Sequence, residues 1–341
     1  MDNPLGVWFP TVRSNTGTDV FTERLVQNLN EEGFRAEISW LPLRAEYAPW
    51  TVPVPTPPSW ATVAHVNTWL HPRFLPQQLP VIATLHHSIH DPALAKLKGF
   101  ARNCYHRWWI APNERRVMEL ANRVVAVSHY AANIGRKTLL DIPIEVIYNG
   151  VDIQRFHPST DERKPHKPFR LLYVGSWKAL KGVDLLAPIM RELGEDFELY
   201  YTGGPTANRS KPFLPPNMHD IGRLQTPVDV VAAMQTADAF VFPSLSEGFG
   251  LVAAEAMACG LPVIASRGSS LAEVIEDRKT GLLCSPSNVN SFVSAIKKIF
   301  NNEDLRRKIS NLSRQHAKVR FSHTKSTSQY LEVYLNETTT I

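Results

Sequence analysis

The stretch "AFVFPSLSEGFGLVAAEAMACGLPVIAS", residues 239–266, joins an apolar run, a Ser/Gly loop, a small-residue segment and a second apolar run. Short apolar runs bounded by Pro and Ser read as buried strands, and the alanine-rich segment between them reads as a helix. Strand, helix and strand in this order predict a βαβ unit with parallel strands. The loop after the first strand, "LSEGFG" (245–250), then opens at the carboxyl end of the sheet, where ligands of open parallel sheets bind. Gly248 and Gly250 allow close backbone approach. The helix expected from near Phe249 offers free N–H groups and roughly half a positive charge. That combination suits an anion, most simply a phosphate.

Glu255 is the only charge among small and apolar residues, with Leu251, Val252, Ala258 and Cys259 as its helical neighbours. Burying an ionised carboxylate costs several kcal/mol unless it is hydrogen-bonded, against a total domain stability of ~5–15 kcal/mol. Two readings stand. Glu255 is an exposed residue on a small-residue helix, or it accepts hydrogen bonds from a polyol, each such bond contributing ~1.5–3 kcal/mol. A nucleotide ribose beside its own phosphate supplies both the hydroxyls and the spacing.

Outward from this stretch, apolar runs alternate with segments of helical spacing. Strands are expected at 6–10, 36–41, 62–67, 81–86, 124–128 and 144–150. After a polar, Pro-containing break at 157–168, further strands are expected at 170–176, 197–204, 219–224, 239–244 and 262–266. Helical spacing marks 22–33 and 228–238, two helices in 288–320 and a last stretch around 326–336. Such alternation predicts parallel sheets covered on both faces. The Pro-rich segment 45–60 is expected to be extended, as a plain connection or a wall of a binding site.

A chain of 341 residues exceeds the length at which single cores stop growing, so two domains are expected. Cys104, Cys259 and Cys284 are scattered and odd in number, which argues against a disulfide framework and suits a reducing cytoplasm. The opening residues lead straight into a strand-like run, so neither a secretory signal nor a membrane span is expected. Asn208, Asn311 and Asn336 sit in glycosylation sequons that carry no weight in a cytoplasmic chain. A net charge of +5 suits a phosphorylated substrate, nucleic acid or an anionic membrane, without choosing among them.

The 244–266 segment resembles the signature of the retaining glycosyltransferases of family 4, in which two Glu residues separated by seven positions precede a small-residue helix. In order, "VIATLHH", "VVAVSHYA", "VIYNGVDIQRFHP", "LLYVGSWKALKG", "YYTGGP", "DIGRL" and "EVIEDRKTGLLCSP" agree as well. The resemblance is close over about residues 80–310 and looser before that. It implies an α/β chain with the GT-B fold, two doubly wound, Rossmann-like parallel-sheet domains facing across a cleft. The expected divisions are an acceptor-side domain, 1–158, a donor-binding domain, 159–322, and a C-terminal helix, 323–341, packing back on the first domain.

The resemblance also assigns roles. Glu255 is similar to the residue that binds the ribose hydroxyls of a nucleotide sugar. Glu247 is similar to the one beside the transferred sugar, whose hydroxyls the backbone of Gly248, Phe249, Gly250 and Leu251 also meets. Lys181 resembles the cation on the donor diphosphate, where a fixed positive charge stabilises the leaving group. Family members usually carry a basic residue directly after the strand glycine, Gly175; here Ser176 stands there, so stabilisation leans on Lys181 with Lys178. Arg223 and Leu224 fall in the donor-side "DIGRL". His86 resembles the acceptor-side histidine, with His87 where the family has Asp, and Gly17 the first glycine loop. The implied catalytic residues are thus His86, Lys181 and Glu247. No Asp-x-Asp occurs, so metal independence is expected and no cofactor beyond the donor co-substrate.

The resemblance implies transfer, with retention, of a mannose- or glucose-like hexose from a GDP- or UDP-sugar to a glycan or lipid-linked saccharide, as in polysaccharide or lipopolysaccharide synthesis. Nucleic acid is not an expected partner. An inactive nucleotide-sugar scaffold and a GT-B epimerase are the alternatives. Residues 96–116 carry Lys96, Lys98, Arg102, Arg107, Arg115 and Arg116 around Trp108–Trp109, against Glu114 alone. They read as a peripheral membrane surface or as a solvated helix over a buried tryptophan pair.

Overall fold

The alternation folds into two parallel sheets of six strands each in the computed structural model. The structure describes residues 5–338 except 88, 93, 95–98, 161–164 and 209. Two compact units result. The first runs to Gly150 and resumes at His323; the second is Val151–Ser322.

The first unit contains β1 (Gly6–Val12), α1 (Gly17–Glu31), β2 (Arg35–Leu41), α2 (Arg44–Tyr47), β3 (Val63–Asn67) and β4 (Val81–Leu85). It continues with α3 (Phe100–Tyr105), α4 (Ala111–Leu120), β5 (Arg123–Ala126), α5 (His129–Thr138) and β6 (Glu145–Val146). Strand order is β2-β1-β3-β4-β5-β6, so the winding reverses between β1 and β3. Every residue of β1, β3 and β4 is buried, as a parallel sheet covered on both faces requires. The last helix, α12 (His323–Thr338), belongs to this unit and buries Tyr330 and Tyr334 against α1 and β3 residues. Gly150 is required where the chain passes the start of α12, because a Cβ there would lie 2.6 Å from the Cα of His323.

The second unit holds β7 (Phe169–Tyr173), α6 (Leu186–Leu193), β8 (Phe197–Tyr201), β9 (Met218–Asp220), α7 (Pro227–Gln235) and β10 (Ala239–Phe242). Then follow α8 (Leu251–Ala258), β11 (Val263–Ser266), α9 (Leu271–Val274), β12 (Leu282–Cys284), α10 (Val289–Asn301) and α11 (Glu303–Arg320). Its order is β12-β11-β10-β7-β8-β9, reversing between β7 and β10.

Several boundaries differ from expectation. The passage between units falls at Gly150–Val151 rather than at 158. Arg314 explains it, donating to the carbonyls of Ile153, Phe156 and Ala258 at 2.9, 2.6 and 2.6 Å and so tying 153–156 to the second unit. The 144–150 run forms only a two-residue strand, and β12 was not expected because its three residues are too short to show a period. Segment 45–60 is not extended throughout. It opens on α2 and a 3-10 turn at Pro49–Thr51, whose proline is preset for the first position of a turn. The tryptophan pair is not buried together. A π-helical turn at His106–Ile110 leaves Trp108 exposed while Trp109 Nε1 donates to the Glu46 carbonyl at 2.8 Å.

Candidate active site

In each sheet the crevice for a ligand lies beyond the carboxyl ends of the strands, where the winding reverses. In the second unit that point is flanked by the loops after β7 and β10, and both carry expected site residues. The loop after β7 turns through Gly175, whose N–H donates to Thr202 Oγ1 at 2.9 Å. Ser176 is exposed, and its carbonyl accepts from the Tyr173 hydroxyl at 3.1 Å and the Lys178 N–H at 2.9 Å. Lys178 points to solvent, and a 3-10 turn at Ala179–Lys181 follows.

Gly182 closes this turn with φ +69°, and a Cβ there would lie 2.0 Å from the Pro243 carbonyl oxygen. Only glycine fits both demands. The close approach lets the Leu245 N–H donate to the Leu180 carbonyl at 3.0 Å, locking the two loops together. Lys181 Nζ then reaches Glu247 Oε1 at 2.5 Å. Residues 66 positions apart in the chain meet at the reversal of the sheet.

Glu247 is 9% exposed and held through its side chain and its backbone. Its Oε1 also accepts from Ser244 Oγ at 2.6 Å, its N–H donates to Ser269 Oγ at 3.1 Å, and its carbonyl accepts from Ser270 Oγ at 3.0 Å. Ser269 holds a left-handed backbone, φ +51°, which costs a non-glycine residue roughly 1–2 kcal/mol. Burial, with the Glu247 carboxylate nearby, pushes the Tyr173 phenol well above its ordinary pKa. None of these three serines was named from the sequence as a site residue. Their types are unremarkable; Ser244 meets Glu247 within the loop after β10, and the meeting of that loop with the one after β11 brings in Ser269 and Ser270.

The helix α8 starts at Leu251, two residues after the expected Phe249. Its N-cap is Gly250 with φ +88° and no side-chain oxygen, and a Cβ there would meet Leu271 Cδ2 at 2.6 Å. A glycine N-cap supplies no side-chain acceptor to the first N–H groups of the helix, whose end carries partial positive charge. Glu255 is 6% exposed on this helix, which removes the solvated-face reading. Burial, and next the Glu255 charge, push the Cys259 thiol up to about 12. Arg223 is exposed in the loop after β9, and Leu224 follows it there partly buried. That loop is organised by Asp220, which accepts from the N–H groups of Gly203, Gly204 and Gly222 at 2.9, 3.3 and 2.8 Å and pairs with Lys211 at 2.8 Å. Those bonds hold its carboxyl below the usual range against the upward pull of burial.

In the first unit Gly17 is the first residue of α1, capped by Thr16, rather than part of a loop. The loop before it is shaped by buried Asp19, which accepts from Ser14 N–H, Ser14 Oγ and Asn15 N–H at 2.9, 2.7 and 2.7 Å. His86 follows β4, its ring edge-on to Phe21 at 4.6 Å, and its Nε2 is shut from solvent without a hydrogen-bond partner. Burial lowers its pKa to about 3, so the imidazole is neutral. His65, between Thr84 Oγ1 at 2.7 Å and Tyr334 Oη at 2.5 Å, is likewise lowered to about 3 by burial and then by His86.

Of the basic run at 96–116, Lys96 and Lys98 lie outside the described residues. Arg115 bonds the carbonyls of Leu139 and Thr138 at 2.9 and 3.1 Å, and Arg116 meets Glu119 at 3.1 Å. Glu114 is buried and accepts from Thr68 Oγ1 at 3.0 Å beside His90 at 2.7 Å. Arg102 and Arg107 are exposed. Among the described residues no three His, Cys, Asp or Glu side chains are placed to hold a metal ion. No helix there is long and apolar enough to cross a membrane.

The model of the family described as "Glycosyltransferase Family 4" matches residues 58–155, and that of "Glycosyl transferases group 1" matches residues 156–316. The chain belongs to glycosyltransferase family 4. The D-inositol 3-phosphate glycosyltransferase of Paenarthrobacter aurescens is 30% identical over 60% of this family 4 chain and 55% of its own. The chain spans about half the length of the curated relatives it matches. Among solved structures, sucrose-phosphate synthase from Thermosynechococcus elongatus superposes with a TM-score of 0.80 at 20% identity, over 97% of this chain and 98% of that one. An Anabaena protein, HepE, solved with UDP and glucose, gives 0.71 at 15% identity over 96% and 99%. Both likenesses show that this family 4 chain has the two-domain, Rossmann-like GT-B fold.

Proposed function

We propose that this chain is a retaining glycosyltransferase that moves a hexose from a nucleoside diphosphate sugar to a glycan or lipid-linked saccharide. The observation that carries the reading is the convergence of Lys181, Glu247 and the glycine-capped end of α8 at the reversal of the second sheet. The donor diphosphate lies against Lys181 and the first N–H groups of α8, where negative charge grows as the bond to the sugar breaks. Glu255, buried one turn into that helix, accepts from the ribose hydroxyls. Glu247, its backbone and side chain clamped by three serines, accepts from the transferred sugar.

The protein cation and helix end take the place a bridging metal would fill, so transfer proceeds without one. His86, neutral at pH 7, exchanges hydrogen bonds with the acceptor side of the reaction and supplies no charge to the phosphates. Neither Glu acts as a covalent nucleophile; the leaving phosphate takes the acceptor proton. Because the Anabaena protein holds UDP and glucose, a uridine donor is the first to try.

The test is thermal stabilisation by UDP-, GDP- and dTDP-sugars, on this chain and on Glu255→Ala. Ligand at ~100 times its dissociation constant adds ~2.7 kcal/mol to folding. One nucleotide raising the midpoint, with the rise lost in Glu255→Ala, supports the donor assignment. No response to any of them sinks it. Product anomer read by NMR, and turnover with a chelator present, test retention and metal independence; binding without turnover would leave a nucleotide-sugar scaffold.

A further inference from the structure

Among the described residues, thirteen large apolar side chains are exposed, and six of them fall in two short segments of the first unit. They are Leu43, Tyr47, Trp50 and Val54 around α2, and Phe100 and Trp108 on α3 and the π turn. Trp50, Trp108 and Phe100 are 66%, 72% and 85% exposed. Isolated exposed apolar residues need no explanation, but a concentration of this kind marks an interaction surface.

The two segments form one platform. Trp109 Nε1 donates to the Glu46 carbonyl, the Tyr105 hydroxyl donates to Glu46 Oε1 at 3.1 Å, and the rings of Trp50 and Trp109 meet edge-on at 6.3 Å. The π turn divides the tryptophan pair between two jobs, Trp109 fastening the platform and Trp108 facing out. Such turns recur at functional sites. The platform is also basic. Arg44, Arg102 and Arg107 are exposed on it, Arg107 beside the Trp108 ring at 5.4 Å. Glu46 is the only acid in residues 42–60 and 99–113, and its carboxylate is engaged by Tyr105.

We infer that this aromatic and basic face docks on the anionic surface of a lipid bilayer. Aromatic side chains with a polar edge sit at the headgroup level, and arginines beside them meet lipid phosphates. Charge decides against a second copy of the chain, because a two-fold contact would set the same basic patch against itself. With no helix able to cross a membrane among the described residues, the contact lies in the plane of the interface. The inference goes beyond the transferase reading and does not depend on it.

The test uses the full chain with vesicles of phosphatidylcholine, with and without phosphatidylglycerol. Sedimentation with the anionic vesicles, weakened by salt, is expected. Arg102→Ser with Arg107→Ser should weaken partitioning about thirtyfold, equivalent to the ~1 kcal/mol each cation contributes near such a surface. Trp50→Ser with Trp108→Ser should abolish it, together with quenching of tryptophan fluorescence by brominated lipid. If that pair fails to fold, Trp108→Ser alone serves, since Trp108 lies outside the platform's hydrogen bonds. Absence of sedimentation overturns the inference, as do equal sedimentation with neutral vesicles or variants that bind like the original. Concentration-dependent dimers lost in Trp108→Ser overturn it in favour of self-association.

Discussion

Glu247→Gln should tighten binding of the bare nucleoside diphosphate while it abolishes transfer. Lys181 Nζ pairs with Glu247 Oε1 at 2.5 Å, with side-chain exposures of 26% and 11%. A diphosphate that uses Lys181 must compete with that carboxylate. A charge-assisted hydrogen bond contributes ~1.5–3 kcal/mol and a fully exposed pair ~0–1 kcal/mol. The partly exposed lysine puts this pair at about 1–1.5 kcal/mol, or roughly tenfold in affinity. Replacing the carboxylate by an amide frees the lysine and removes repulsion of the phosphates, so both effects act in one direction. Calorimetric titration of UDP and GDP into the chain, Glu247→Gln and Lys181→Met measures it. The expected order is tightest for Glu247→Gln and weakest for Lys181→Met. Equal affinity in the chain and Glu247→Gln, or undiminished binding by Lys181→Met, refutes a phosphate site at Lys181.

Gly182→Ala should destabilise the second unit by more than ~3 kcal/mol, since a Cβ 2.0 Å from the Pro243 carbonyl and φ +69° cannot both be relieved locally; a urea midpoint within error of the parent would contradict this. Ser270→Ala leaves the Glu247 carbonyl without its buried donor, so ~1–3 kcal/mol of stability and most of kcat should be lost with donor KM little changed. A change confined to KM would show that the serine serves donor binding rather than the placement of Glu247. His65 and His86 are held neutral in the fold, at about 3 against an ordinary 6.5. Between those values the unfolded chain binds more protons than the folded one. Stability therefore rises with pH through this window and falls on acidification, by up to ~1.4 kcal/mol per pH unit for each histidine. Urea unfolding at pH 7 and 5 should show the loss and His65→Gln should shrink it; an unchanged slope in that variant would place the titration elsewhere.

Much of the fold was legible because periodicity is local. The strand at 239–242, its Ser/Gly loop and the helix at 251–258 were visible in sequence, as was the oddness of Glu255, since an isolated carboxylate in an apolar run is anomalous wherever the chain goes. Elements too short to show a period were missed or overdrawn, as with β12, β6 and the α2 turn inside the proline-rich segment.

Residue type and order alone pointed to two α/β units and marked Glu255 as a carboxylate out of place in an apolar run. The tertiary structure alone decided that Lys181 meets Glu247, because the contact needs Gly182 to pass under Pro243. It likewise made Ser244, Ser269 and Ser270 the clamp on Glu247, turned His86 into a neutral group and split Trp108 from Trp109. The contacts of Glu247 with Lys181, Ser269 and Ser270 depend on which loops the order of strands brings side by side, and a local pattern carries no record of that order.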